Sequence, residues 1–507
     1  MTLASQVVVL IGAGYWIHAH IHLPPWLVLD FTREDYIIFP LPSTWSNKYL
    51  FSYILDDSIR SIDSNSRSGI IIGARHREAQ VKTRKEKVYL LSFILSFLLF
   101  VFTQVITAET NDVAKAEAPA EDRGNAAEVE AFFDNLVPGM MEKHHVPGVS
   151  IALINDYRVE WAKGYGVLET GSSQRVTPET LFQSGSVGKL VVAMTALHYV
   201  ERGLIELDAD VNRSLVSWQV PENEFTREEK VTLRRLLSHS AGMTAIGFRG
   251  YAQGEEMPNL QQILNGEPPA NSAPIRVDTV PGTQYRYSNG GYMVVQQLLE
   301  DLTDIPFSQT IKDIILEPYS MTASTFESPL PENLWAIAAS GHRDDGTVIP
   351  GRWHTFPEMG AGGSMWTTPS DLAHFAVGIM LSYTGRPDEV LSQDMAIQML
   401  SAQIENRGLG PVIGDDGGDL FYFSHPGATE GYKSLLVAYP KKGQGVVIMA
   451  NSDNGEALWH ELLRSVSVEY GWLIDRTYLY SSVIIAVVLT LLGILLLRRR
   501  RARGPSG

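Results

Sequence analysis

Along residues 129–475 the spacing of apolar positions changes twice, and each change predicts a different kind of element. Val129 to His145 has helical spacing and is stopped by Pro147-Gly148. Val149-Ser-Ile-Ala-Leu-Ile154 and Arg158 to Gly166 flank Asn155-Asp156, which predicts a hairpin turning at that dipeptide. The stretch from Phe182 to Gly188 is polar and glycine-rich, but behind it Leu190, Val191, Val192, Met194, Ala196, Leu197, Tyr199 and Val200 predict one largely buried helix from Ser186 to about Gly203. Helical spacing recurs at Leu207 to Trp218, Thr232 to Leu237, Leu260 to Leu264, Gly290 to Asp301 and Ile311 to Pro318, so a mostly helical region is expected over about 204–345. Strands return at Phe421 to Ser424, Tyr432 to Tyr439 and Gly445 to Asn451, followed by an amphipathic helix from Glu456 to about Leu473. The expected class is α/β (α+β): an antiparallel sheet built from both ends of the domain, helices packed on it, and a helical subdomain inserted between them.

Two apolar runs lie outside this span. Val88 to Phe102 follows Lys82, Arg84, Lys85 and Lys87 and gives way to Ile106-Thr107-Ala108. A basic stretch, an apolar stretch and a small exit residue predict a signal peptide over 81–108, cleaved after Ala108; an uncleaved signal-anchor helix of about 20 residues is the other reading. A signal peptide opens a chain, so residues 1–80 are expected to be upstream sequence ahead of a start near Val81. Their apolar stretches, Val7 to Ile17 and Ile70 to Ile72, are too interrupted to predict a domain, and a small membrane-associated prelude is the alternative. Gly12-Ala13-Gly14 lacks the third glycine of a nucleotide loop, Ile17 standing in its place. Residues 109–128 form an acidic, alanine-rich linker. The second run, Tyr478 to Leu497, is long enough to span the hydrocarbon, and the tail 498–507 carries Arg498 to Arg501 and Arg503. Arginines held on the cytoplasmic side predict a single-pass C-terminal anchor with the 129–475 domain extracytoplasmic.

Composition then narrows the chemistry. There is no cysteine, which removes thiol nucleophiles, disulfides and cysteine-ligated metal, and the formal net charge of −16 argues against nucleic acid as a partner. The thirteen histidines include no His-Glu-x-x-His. His144-His145 diverge on any regular element, and His18, His20 and His22 have strand spacing. No metal and no cofactor is expected.

Three short patterns carry reactive side chains. Ser186 and Lys189 are three residues apart, so on a helix the amine reaches the hydroxyl, and an amine desolvated by the apolar helix body can act as a base. An N-cap serine followed by a surface lysine would read the same way. Tyr287 and Asn289 alternate, so in an extended loop they project to one side as a proton shuttle and an amide; the plainer alternative is a helix-capping loop with a packed tyrosine. His425-Pro426-Gly427-Ala428 precedes an apolar strand, and its small residues would let a ligand approach backbone N–H groups that bind an oxyanion. A simple turn with a backbone-bonded histidine is the alternative.

Taken in order, these patterns resemble the serine beta-lactamase and penicillin-binding-protein superfamily in its class C-like branch, which includes D,D-carboxypeptidases, D-aminopeptidases, esterases and LACTB-like peptidases. Ser186-Val187-Gly188-Lys189 matches Ser-x-x-Lys, Tyr287-Ser288-Asn289 matches Tyr-x-Asn, and His425-Pro426-Gly427 matches the His-x-Gly that replaces Lys-Thr-Gly in this branch. Leu236 to Gly242 and Gly360 to Ser364 fit as flanking signatures, and the likeness covers about residues 130–460. The resemblance implies a serine hydrolase that forms an acyl-enzyme on Ser186. Lys189 and Tyr287 would move protons, and Asn289 would orient Lys189 and the substrate amide. The N–H groups of Ser186 and Ala428 would form the oxyanion hole. His425, with Gly427 beside it, would meet the substrate's carboxylate end or the Tyr287 hydroxyl. Implied substrates are a D-amino-acid or cell-wall peptide, a beta-lactam or a small ester; the alternative is a penicillin-binding or ligand-sensing membrane protein without efficient turnover.

Overall fold

The computed structural model describes residues 126–472, apart from 358–359, 388–389, 415–417 and 419, together with four strands between residues 4 and 74. The signal segment at 81–108, most of the linker, the apolar run at 478–497 and the basic tail lie outside the described residues. Among the described residues no helix is long and apolar enough to cross a membrane.

The four N-terminal strands are β1 (Ala4–Ile11), β2 (Tyr15–His22), β3 (Asp35–Phe39) and β4 (Ile70–Ala74), paired antiparallel in the order β2-β1-β4-β3. The apolar stretch expected from Val7 to Ile17 thus contributes to both β1 and β2, and His18, His20 and His22 alternate along β2.

The larger unit begins with α1 (Ala126–His144) and continues into the expected hairpin, β5 (Gly148–Asn155) and β6 (Arg158–Gly166). Further along come α2 (Gly188–Glu201), α3 (Asn289–Thr303) and α4 (Pro369–Tyr383). The described part of this unit closes with β7 (Val412–Gly414), β8 (Tyr422–Thr429), β9 (Tyr432–Tyr439), β10 (Gln444–Ala450) and α5 (Gly455–Glu469). One six-stranded antiparallel sheet has the order β6-β5-β10-β9-β8-β7, so the N-terminal hairpin joins the C-terminal meander through the β5–β10 ladder, Val149 opposite Ala450. The two ends of the domain therefore build one sheet, as the pattern implied.

Both faces of that sheet are covered. On the back, Val149, Ile151, Leu153, Val437 and Ile448 pack under Phe133 of α1 and Leu458 and Leu462 of α5. On the front, Ala152, Ile154, Leu436, Val447 and Met449 belong to a larger core with α2, α3 and α4. Burial on both sides explains why β5 and β10 are nearly continuous apolar runs instead of alternating ones. Each fully buried aliphatic side chain contributes about 1.5–3 kcal/mol of transfer free energy.

The inserted region is less helical than its spacing predicted. No α-helix forms over Leu207 to Trp218; only a 3₁₀ turn, Val211–Arg213, appears there. Asp210 accepts from the Asn212 N–H, and the Asn212 amide bonds both the N–H and the carbonyl of Val220. These side chains take backbone partners that a helix would need. Leu233–Leu237 and Leu260–Asn265 are short helices behind Thr232 and Asn259 caps. The helix expected from Ile311 starts earlier, at Phe307, and continues as a π turn over Lys312–Leu316.

Candidate active site

The segment before Ser186 is fixed by a short ladder, Phe182-Gln183 against Trp366-Thr367. Gly185 then turns in the left-handed region, φ +51°, and a 3₁₀ turn over Gly185–Val187 leads into α2. Ser186 thus sits in this turn, ahead of the α-helix it was expected to begin. The three-residue spacing still works: Lys189 Nζ lies 3.1 Å from Ser186 Oγ. The surface-lysine alternative fails, because Lys189 is 0% exposed.

The second pattern combines both of its readings. Ser288 caps α3, its hydroxyl accepting from Gly291 N–H at 3.0 Å and donating to the Thr244 carbonyl at 2.6 Å. That cap holds the neighbours on either side. Tyr287 Oη reaches Ser186 Oγ at 2.5 Å, and Asn289 Oδ1 accepts from Lys189 Nζ at 2.5 Å. The Asn289 amide nitrogen donates to the Ile246 carbonyl at 2.6 Å, which settles its orientation.

The third pattern lies on a strand and is not a turn. β8 continues through His425, Pro426, Gly427 and Ala428 to Thr429, and the reversal comes at Glu430-Gly431, with Gly431 at φ +80°. A β-carbon on Gly427 would collide with the Ser184 carbonyl, and one on Gly185 with the Ala428 nitrogen. The two glycines therefore bring the exposed edge at Ala428 against the turn that carries Ser186. His425 is buried, and its Nδ1 donates to the Pro426 carbonyl at 2.7 Å.

Burial governs the electrostatics. Lys189 donates to the Gly362 carbonyl at 2.5 Å as well as to Asn289, and loss of solvent pushes its pKa well below that of a free lysine. A neutral amine has two N–H groups and one lone pair. With Asn289 and Gly362 taking two N–H groups, the remaining position on Nζ faces Ser186 Oγ and becomes a lone pair when the amine is neutral. Burial raises the Tyr287 hydroxyl to about 12, with the Ser186 bond opposing it, so the phenol stays protonated beside Ser186 Oγ. The His425 imidazole falls to about 3, first through burial, with the positive field of Arg407 adding to it. It is therefore neutral and supplies no fixed positive charge.

Three residues reach the site without having been assigned a role from sequence. His239, in the Leu236 to Gly242 signature, lies 4.3 Å ring to ring from Tyr287 and accepts from the Ser288 N–H at 3.2 Å. Burial first, and then the field of Arg407, keep it neutral, and it positions the phenol. Gly362 acts through its carbonyl, which no side-chain pattern reports. Arg407 stacks on Tyr285, 4.5 Å from its ring centre, and its field lowers the pKa of Tyr287 and His425. Its buried Nε has no hydrogen-bond partner, and among the described residues no carboxylate pairs with it. Lone arginines have no local sequence signature, which is why this one was missed.

A hydroxyl, a desolvated amine, a phenol and two close-set backbone segments in a water-poor cleft define a serine acyl-transfer type of site. A profile of the beta-lactamase family matches residues 133–467, and the chain belongs to that family. It is 27% identical over 353 residues to penicillin-binding protein 4 of Amycolatopsis lactamdurans, covering 66% of this chain and 89% of that one. It is 22% identical over 339 residues to the protein flp of Staphylococcus aureus strain N315, covering 63% of this chain and 62% of that protein, so it spans less than two thirds of that relative. The octameric penicillin-binding protein homologue from Pyrococcus abyssi has the same fold, with a TM-score of 0.54 at 24% identity over 64% of this chain and 74% of that one.

Proposed function

We propose that the chain is a serine hydrolase that opens an amide or ester through an acyl-enzyme on Ser186. The observation that carries this reading is the Lys189 amine, buried with no carboxylate partner among the described residues, donating to Asn289 and Gly362 and lying 3.1 Å from Ser186 Oγ, its pKa pushed well down by loss of solvent. In acylation, Oγ attacks the carbonyl carbon as its proton passes to Lys189 Nζ. The Tyr287 O–H supplies a proton to the departing nitrogen or oxygen and is restored from Lys189. The N–H groups of Ser186 and Ala428 hold the oxyanion, each such donor lowering the barrier by roughly 3 kcal/mol. Water then releases the acyl group by the reverse proton path.

Arg407 supports a substrate that carries a carboxylate near the leaving group. With His425 neutral, the guanidinium is the cation that can receive such a group, and it favours planar, bidentate partners. This places peptides ending in a D-amino acid and beta-lactams ahead of simple esters, in line with the penicillin binding named for the Amycolatopsis relative. The apolar run Tyr478 to Leu497 and the arginines behind it support a membrane anchor with the catalytic domain extracytoplasmic.

The test is labelling with a fluorophosphonate and with a penicillin, read by intact mass, in wild type and Ser186→Ala. An adduct on wild type alone is expected; equal labelling of the variant defeats the assignment. More than one product per Ser186 separates an enzyme from a stoichiometric sensor. Arg407→Gln is expected to raise KM for a D-Ala-D-Ala peptide about tenfold or more and to leave a short ester nearly unchanged. Carbonate extraction that strips the full chain from membranes would remove the anchor.

A further inference from the structure

His239 stands where a helix end calls for a different residue. The short helix Leu233–Leu237 closes with Ser238, and behind it the N–H groups of His239 and Ser240 bond back to the carbonyls of Leu236 and Arg235 at 3.2 and 2.8 Å. That pair of bonds marks the helix ending in which glycine is the usual residue, because the position needs a left-handed backbone. His239 holds it at φ +56° with a full side chain. A residue kept against its backbone preference points to a use for the side chain.

That use lies in the loop before α3. Three consecutive residues there rest on His239: its carbonyl accepts from the Arg286 N–H at 2.8 Å, its ring lies 4.3 Å from the Tyr287 ring, and its Nδ1 accepts from the Ser288 N–H. The Tyr292 ring backs the imidazole at 5.2 Å. Nδ1 accepts only while it carries no proton, so the neutral ring has its proton on Nε2. Nε2 is buried with no hydrogen-bond partner among the described residues, so the imidazole is seated by Nδ1 and by its ring contacts. Tyr287 is thereby held through the backbone on either side of it and across its ring. Among the described residues its hydroxyl bonds Ser186 Oγ alone, so no second bond to the oxygen fixes the phenol.

We infer that His239 is the positioning residue for proton delivery by Tyr287 and so sets how poor a leaving group the site can expel, an inference that rests on the hydrolase reading. As the bond from the carbonyl carbon to the departing nitrogen or oxygen breaks, that atom takes the Tyr287 proton. The phenolate regains a proton from the ammonium that Lys189 became on accepting the Ser186 proton. A nitrophenolate departs without a proton, whereas an alkoxide or an amine needs one. A phenol displaced by about 1 Å can cost about a hundred-fold, and that cost falls more heavily on poor leaving groups than on good ones.

The experiment measures kcat/KM, which reports acylation, for 4-nitrophenyl, phenyl and ethyl butyrate with the full chain. His239→Gly suits the helix end and removes both the ring and the acceptor. Its loss on ethyl butyrate is expected to exceed its loss on 4-nitrophenyl butyrate by at least about tenfold, with phenyl butyrate between. His239→Asn tolerates the left-handed backbone and offers Oδ1 to the Ser288 N–H. It should shift selectivity in the same direction by a smaller factor, and it carries the test if the glycine variant does not fold. In a Tyr287→Phe background, His239→Gly should add no more than about a two-fold loss on ethyl butyrate. Wild-type selectivity among the three esters in these variants, or losses that multiply fully with those of Tyr287→Phe, overturns the inference, since His239 would then only end a helix. Wild type with no ester turnover, or with turnover that survives Ser186→Ala, sinks the hydrolase reading and this inference with it. A loss equal on all three esters sinks the inference alone.

Discussion

The back of the six-stranded sheet and the cleft at its front bury side chains under opposite rules. On the back, Phe133 stacks on Trp161 with ring centres 4.3 Å apart, and the charges stay at the rim, each beside an opposite charge. Lys163 meets Glu130 and Asp134, and Lys143 and His144 meet Glu461. At the front, Lys189, His239 and His425 are all buried, and among the described residues none has a carboxylate partner. Burial drives all three toward the neutral form. Pairing keeps a charge and makes it inert; removal from water without pairing removes the charge and leaves a lone pair. The back face is built for cohesion, and the front gives up some cohesion to hold a desolvated amine as base.

The largest effect that would break this contrast is expected from Lys189→Met. Acylation of Ser186 should fall by about a thousand-fold, the scale of a lost general base. Stability supplies a second readout with a definite sign. Lys189 has a folded pKa well below its unfolded value, so at intermediate pH the unfolded chain binds the extra proton. Wild-type stability therefore rises with pH up to the ordinary lysine range and falls away toward the folded pKa. In Lys189→Met that part of the slope should vanish. Melting temperatures of both proteins at pH 7 and pH 9.5 decide it, and equal pH slopes would mean that the amine is charged in the folded state.

The same contrast explains what the sequence disclosed. The back-face residues announced themselves through period: the hairpin, the C-terminal strands and the helices over them follow from apolar spacing that only a doubly covered sheet satisfies. Ser186, Lys189, Tyr287, Asn289 and His425 were legible because their order along the chain resembles one superfamily. Two local structures were not legible. The His425 motif runs on as strand because the close approach at Gly427 and Ser184 is a tertiary contact, and Leu207 to Trp218 abandons helix because Asp210 and Asn212 bond nearby backbone. His239, Gly362 and Arg407 act through a ring face, a carbonyl and an unpaired guanidinium, and none of these depends on residue spacing.

Next in size is Phe133→Ala. Removing a fully buried ring from the back core should cost about 3–5 kcal/mol, seen as a lower denaturant midpoint, while acylation per folded molecule stays at the wild-type rate. A large fall in acylation would show that the two faces are mechanically coupled. His425→Gln sharpens the front face at acid pH. The His425 pKa is lowered from 6.5 to about 3, so its stabilising contribution is full above 6.5 and is lost as pH falls through about 3. The glutamine variant should therefore lose less stability than wild type between pH 6 and pH 4, measured by denaturant titration. Equal acid slopes would place the imidazole in solvent.

The smallest effect should come from the charge that looks busiest on the back face. Lys163 Nζ lies 2.5 Å from Glu130 and 3.0 Å from Asp134, but its side chain is 32% exposed and its partners more so. Water and salt screen such pairs, and ordering the long side chain offsets much of the attraction. Lys163→Met should change stability by no more than about 1 kcal/mol at low salt and by less in molar salt, with acylation unchanged. The Asp134 carboxylate keeps the Tyr165 hydroxyl as a donor at 2.9 Å, so it is not stranded when the ammonium leaves. A loss matching that of Phe133→Ala, and persisting in high salt, would mean that the rim charges hold the back face together and that pairing there is structural cement instead of a solvated fringe.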